Sequence, residues 1–129
     1  MRMTTALAPL AAALATLAGA EAAMGETLDL VCRVHESRTD GAHRTIRRRL
    51  DIDLGRKTVR VSDDVGRGWV FKREYPFLSA DRDRIHLESG GGKESYVDRR
   101  TGEYFFHNHA DGVTMRGACR NSVPERGKF

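Results

Sequence analysis

Three polar side chains near the end of the chain, His107, His109 and Asp111, have the spacing of a metal-ligand set. In an extended strand residues i and i+2 share a face, so two imidazoles placed this way can approach one cation. A catalytic zinc keeps three protein ligands and one open position, and the residue that follows these three is Gly112, not a further ligand. The competing reading is a polar strand end running into an Asp-Gly turn, and the sequence favours it. We therefore expect no cofactor and no resident metal, with His107, His109 and Asp111 as the candidates for a weak metal site or a small metal-dependent hydrolase.

Ser89-Gly-Gly-Gly-Lys-Glu-Ser95 has the look of a phosphate loop but departs from G-x-x-x-x-G-K-[ST], because Glu94 follows Lys93 and no helical pattern comes next. It reads instead as a flexible connection between strands. As a glycine-rich bend on a rigid sheet it is a candidate partner-binding loop, with Ser89, Gly90, Lys93 and Tyr96 as its contacts. The densest basic run is Arg44, Arg47, Arg48 and Arg49. On a strand Arg47 and Arg49 project together, with Asp51 and Asp53 next along the same face, which predicts a solvated ladder of charges. Arg48 falls on the apolar face, where a rim position, a carboxylate partner or a bulge would each account for it. Nucleic acid is not expected as a partner, since that role calls for aromatic platforms beside the cations. No Ser-centred G-x-S-x-G is present, and the paired carboxylates Asp51/Asp53 and Asp81/Asp83 stand beside arginines as surface ion pairs. Catalysis is the minority expectation.

The elements that must position these residues are short strands. Leu28, Leu30, Cys32 and Val34 alternate with Asp29 and Arg33, and Val113, Met115 and Cys119 alternate with Thr114 and Arg116. Period-two alternation of this kind marks a half-buried strand. Between them further strands are predicted over 44–54, 57–61, 69–72, 84–88, 94–98 and 103–109. Turns fall at Asp40-Gly41, Gly55-Arg56, Asp98 to Gly102 and Asp111-Gly112. Pro76 places a strand edge or loop after Tyr75, and Phe77 and Leu78 are expected to plug one end of the core. No stretch has a useful helical period. Eight strands at this spacing predict an all-β fold, a small eight-stranded antiparallel barrel with a β-sandwich as the alternative.

Residues 1–20 read as an export signal, with a short positive start at Met1-Arg2-Met3 and an apolar run from Ala6 to Ala18. Cleavage is expected after Ala20, with Ala22 as the alternative. The run is shorter than the roughly 20 residues of a spanning helix, so no stable membrane insertion is expected. Cleavage after Ala20 leaves 109 of the 129 residues, enough for one domain over 21–123, followed by a disordered tail at 124–129. It also lowers the net charge from +4 to +3, too weak a surplus to imply a polyanion partner by itself. Arginine outnumbers lysine eighteen to four. Two cysteines in an exported chain predict one disulfide, Cys32 to Cys119, fastening the first strand to the last and closing the barrel.

The cysteine-bearing first strand, Ile52-Asp53-Leu54, the Asp98 to Gly102 hairpin and the terminal Gly117-Ala-Cys119 together resemble small exported β-domains of proteobacteria. The resemblance spans most of the mature chain and rests on structural turns. More distantly, the layout is similar to periplasmic inhibitors of C-type lysozyme, disulfide-closed eight-stranded barrels that insert a Ser-Gly-containing loop into the enzyme's cleft. That likeness sets Ser89-Gly90 and Tyr96 against the inhibitory loop. The family's second motif, an aromatic followed by Lys-Gly, has no counterpart in Tyr104-Phe-Phe-His-Asn108. The expectation is a periplasmic or secreted, monomeric, non-enzymatic binding module for an envelope protein or cell-wall component. Its contacts are expected in the 36–43 and 89–95 loops.

Overall fold

The computed structural model describes residues 26–122; the expected export signal with its cleavage site and the expected tail at 124–129 lie outside them. The described chain forms nine antiparallel strands: β1 Thr27–Arg38, β2 His43–Asp53, β3 Thr58–Asp64, β4 Val70–Pro76, β5 Ser79–Ala80, β6 Arg84–Gly90, β7 Lys93–Asp98, β8 Glu103–Asn108 and β9 Val113–Asn121. They make one curled sheet in the order β4-β3-β2-β1-β9-β8-β7-β6-β5. The all-β expectation and the first-to-last pairing both hold, and Cys32 lies directly opposite Cys119 in the β1/β9 register, joined to it by the disulfide.

Alternation builds the core as the sequence implies. Leu28, Leu30, Cys32 and Val34 of β1 face in with Ile46, Leu50 and Ile52 of β2, Val59 and Val61 of β3, and Ile85, Leu87, Val97, Tyr104, Phe106, Val113 and Met115 from the other half. Gly117 allows β9 to close on β1, because a Cβ there would collide with the Arg33 carbonyl.

Two expectations are corrected. The strands number nine, not eight: Ser79–Ala80 is a two-residue, exposed strand on β6, too short to show alternation. The barrel is also not closed by a backbone ladder, since the sheet ends at β4 on one side and β5 on the other. On both sides of this seam the ladder register is broken, stepping over Lys72 between β3 and β4 and over Leu87 between β6 and β7. Such bulges bend a strand away from regular pairing. Side chains span the gap instead. Arg73 of β4 donates to both carboxylate oxygens of Glu88 of β6, at 2.6 and 3.2 Å, and Ser95 of β7 donates to the same group at 3.5 Å.

Smaller departures have local causes. β4 runs on through Tyr75 and Pro76, because on an edge strand the missing proline N–H costs no ladder bond. Phe77 is buried as expected, whereas Leu78 is 53% exposed and plugs nothing. In the β2–β3 turn the left-handed residue is Lys57, not Gly55. Arg48, the cation on the apolar face, has a carboxylate partner. It is 9% exposed and donates through Nε and Nη2 to Asp63, itself 6% exposed, at 2.7 and 2.8 Å. Its Nη1 reaches the Tyr104 hydroxyl at 2.9 Å. Burial opposes the charge on Arg48, but the bonds to Asp63 outweigh it and hold the guanidinium above its ordinary pKa.

Two stability predictions follow. Replacing Cys32 and Cys119 together by Ala should cost roughly 4–5 kcal/mol, the entropy of an 87-residue closure, read as a lower urea midpoint. Asp63→Ala strands the Arg48 charge in the core and should cost about 3–5 kcal/mol. The double change Arg48→Met, Asp63→Leu should stay close to wild type in the same assay.

Candidate binding site

The residues singled out for chemistry do not all meet. His107 and His109 touch edge to face, with ring centroids 4.3 Å apart, and His107 Nδ1 lies 2.8 Å from the Thr114 hydroxyl. Asp111 turns away from them and accepts from the Asn108 amide at 3.0 Å. The Asn108 side-chain Oδ1 in turn accepts from the Ala110 and Asp111 backbone N–H groups, so the acid belongs to a turn. Among the described residues no three His, Cys, Asp or Glu side chains are grouped to hold a metal ion.

The glycine stretch is a tight hairpin, not a flexible loop. Gly90 pairs with Lys93, and Gly91 and Gly92 both take positive φ, the backbone of a two-residue turn that matches strand twist. The Gly92 carbonyl accepts from the His109 amide, tying two turns together. Ser89 and Tyr96 border a hollow of about 290 Å³ with His86 and Glu88. Tyr96 itself belongs to a ladder on the outer face: Arg84 sits over its ring at 3.9 Å, and Phe105 stacks on it at 5.4 Å with Arg116 beyond. The 36–43 loop is likewise mostly strand, leaving Thr39 to Ala42 as a turn with Asp40 accepting from the Ala42 amide.

A larger concavity lies on the outer face, over the disulfide. A groove of about 600 Å³ is lined by Val31, Arg33, Arg47, Val65, Ala118 and Arg120, with Asp64 as its acid. Its floor follows from the register. With Cys32 opposite Cys119, the neighbours of both cysteines point outward, so Arg33 pairs with Ala118 and Val31 with Arg120. On the other side Arg33 lies directly opposite Arg47 of β2. Like charges across a ladder oppose one another. Arg47 reaches Asp64 at 3.3 Å, whereas Arg33 and Arg120 have no ion-pair partner among the described residues.

Residues 65–69, the longest connection between strands, form the wall. One Asp64 oxygen accepts three backbone amides, from Gly66 at 2.7 Å and from Arg67 and Gly68 at 3.1 Å. These bonds, that of Gly66 foremost, hold the Asp64 carboxyl below the ordinary 3.8. The loop ends on Trp69, 37% exposed, whose ring lies against Arg47 at 4.9 Å and Arg49 at 5.9 Å. Arg49 is spoken for: it donates to both oxygens of Asp29 at 2.9 and 2.6 Å and lies 3.7 Å from Asp51. The solvated ladder expected for Arg47, Arg49 and Asp51 is thus present, with Trp69 laid across it.

No protein-family model matches this chain, and neither a curated protein nor a solved structure is significantly similar to it. Arg33 and Arg120 do not stand out together as site residues in the sequence because they lie 87 positions apart. The signal that could have found them is their place immediately after each cysteine.

Because Trp69 is the chain's single tryptophan, its fluorescence reports on the wall. Asp64 has a depressed folded pKa, so its support is complete above the ordinary 3.8 and is lost as pH falls below it. Emission should be flat from neutral pH to about 4 and change below that. Asp64→Asn should show the altered emission already at pH 7.

Proposed function

We propose that this chain is an exported, non-enzymatic binding module of the bacterial envelope. It engages an envelope protein or cell-wall component through the outer groove, not through its hairpin turns. The observation that carries this reading is the groove itself: a concave surface with three guanidiniums and one carboxylate, one of those guanidiniums lying against the exposed Trp69 ring, on strands cross-linked by the disulfide. Binding sites of this kind combine an apolar floor with a few placed polar groups. A disulfide fits an oxidising compartment, and no helix among the described residues is long and apolar enough to cross a membrane.

The shift from loops to a sheet face rests on loop length. The 36–43 and 89–95 segments are tight turns with little surface to offer, whereas 65–69 stands over the groove. The small-hydrolase alternative draws no support from His107, His109 and Asp111, since the acid serves a turn.

The test is co-sedimentation with a purified bacterial envelope fraction. Wild type should pellet with it, Arg33→Glu/Arg120→Glu should stay in the supernatant, and Ser89→Ala/Lys93→Ala should behave as wild type. Equal pelleting of the Arg33/Arg120 variant overturns the groove as the contact surface. Slowing of a C-type lysozyme by wild type, lost in the Ser89/Lys93 variant, would instead move the function to the hairpin.

A further inference from the structure

We propose that the occupant of the groove is an anionic polysaccharide, its acid groups held by Arg33, Arg47 and Arg120 and a sugar ring laid on Trp69. This rests on the binding-module reading above and names its ligand class.

Charge gives the first argument. Several strand arginines are neutralised by a carboxylate: Arg44 by Glu36, Arg48 by Asp63, Arg49 by Asp29 and Arg73 by Glu88. In the groove it does the reverse. Arg33 is set directly across from Arg47, and Arg33 and Arg120 have no acidic partner among the described residues. Arg47 shares its one carboxylate, Asp64, with three backbone amides. A bound anion relieves that opposition, and guanidinium is suited to planar, two-point recognition of carboxylate or phosphate.

Backbone bonding gives the second. β1, β2 and β9 are interior strands with ladders on both sides. The groove floor therefore has no unpaired main-chain edge for an extended peptide to join, so recognition falls to side chains alone. Trp69 gives the third. Its residue remains 37% exposed with the ring against Arg47, an arginine that lines the groove, and Val31, Val65 and Ala118 supply apolar surface within the groove. A pyranose offers a C–H face to such a ring and acid groups to the arginines at the same time. Single-stranded nucleic acid shares part of this chemistry but uses successive aromatic platforms, and the groove lining holds none, with Trp69 standing beside it against Arg47.

The test is calorimetry on the full exported protein with polygalacturonate oligomers as the probe. Neutral dextran, poly-glutamate and a single-stranded oligonucleotide serve as comparisons. Polygalacturonate should bind with an affinity that falls as salt rises, and dextran should not bind. Arg33→Ala and Arg120→Ala should each weaken binding about tenfold, as for loss of a charge-assisted hydrogen bond. Trp69→Ala should weaken it about tenfold and Trp69→Phe much less, as for loss and retention of a stacking face. Unchanged melting temperatures in these variants separate lost binding from lost fold. Absence of polygalacturonate binding overturns this proposal, and so does equal or tighter binding of poly-glutamate or the oligonucleotide, or full affinity in Trp69→Ala. Envelope co-sedimentation that still depends on Arg33 and Arg120 would then leave the broader reading standing with another ligand.

Discussion

The bond between Cys32 and Cys119 decides where this sheet closes and where it stays open. An antiparallel meander ordinarily leaves its first and last strands as free edges. Here those two strands pair from Leu30 to Arg38 and are cross-linked within that ladder, so the free edges fall in mid-chain, on β4 and β5. Everything unusual about the seam follows. Its two sides are irregular, with the register stepping over Lys72 and Leu87, and the ion pair across it joins the residues that follow those steps, Arg73 and Glu88. An edge carrying a bulge, a lysine and a terminal proline is a poor template for a foreign strand. The seam is thus guarded against pairing while its interior is bridged.

The buried Arg48–Asp63 pair does related work on the other side. Replacing such a pair by apolar residues is often neutral, so its presence is weak evidence for stability as such. It does bear on register. A one-residue slip of β2 or β3 would carry Arg48 or Asp63 to the outer face and leave its partner buried with an unmatched charge. Tyr104 adds a third strand to the same network, so the arrangement ties β2 and β3 to β8 across the core. The Tyr104 hydroxyl, pushed above its ordinary pKa first by burial, stays neutral as a fixed part of that network.

Much of this was legible in the residues because a strand's period is two. Once Leu30, Cys32 and Val34 face in, Val31 and Arg33 must face out, and the cysteine pair then fixes which residues of β9 lie beside them. What alternation cannot show is a two-residue strand such as Ser79–Ala80, or a turn whose left-handed residue is Lys57 when a glycine stands two positions earlier. It also cannot show closure, which depends on bulges that add one residue and erase the pattern locally. The site was harder for a different reason. His107, His109 and Asp111 are neighbours in sequence and drew attention, yet sequence proximity placed Asp111 in a turn with Asn108. Arg33, Arg47, Arg120 and Trp69 come from four separate segments, and only the sheet makes them neighbours.

Setting a site on a sheet face, instead of on loops, has a physical consequence for binding. Loops usually carry recognition because they can vary and move while a scaffold stays fixed. In this chain the connections are mostly four residues or fewer, and their amides are tied back by aspartates such as Asp40, Asp64, Asp81 and Asp98. The outer face over the disulfide is the part of the molecule where side chains can be both exposed and held in register. Two arginines in opposition are a cost that a weakly paired strand would shed by twisting away. Here β1 is bonded to β2 from Thr27 to Ser37 and covalently to β9, so the opposition of Arg33 and Arg47 persists in the free protein. An anion bound there would meet charges already gathered, the ordering cost of assembling them having been met by folding.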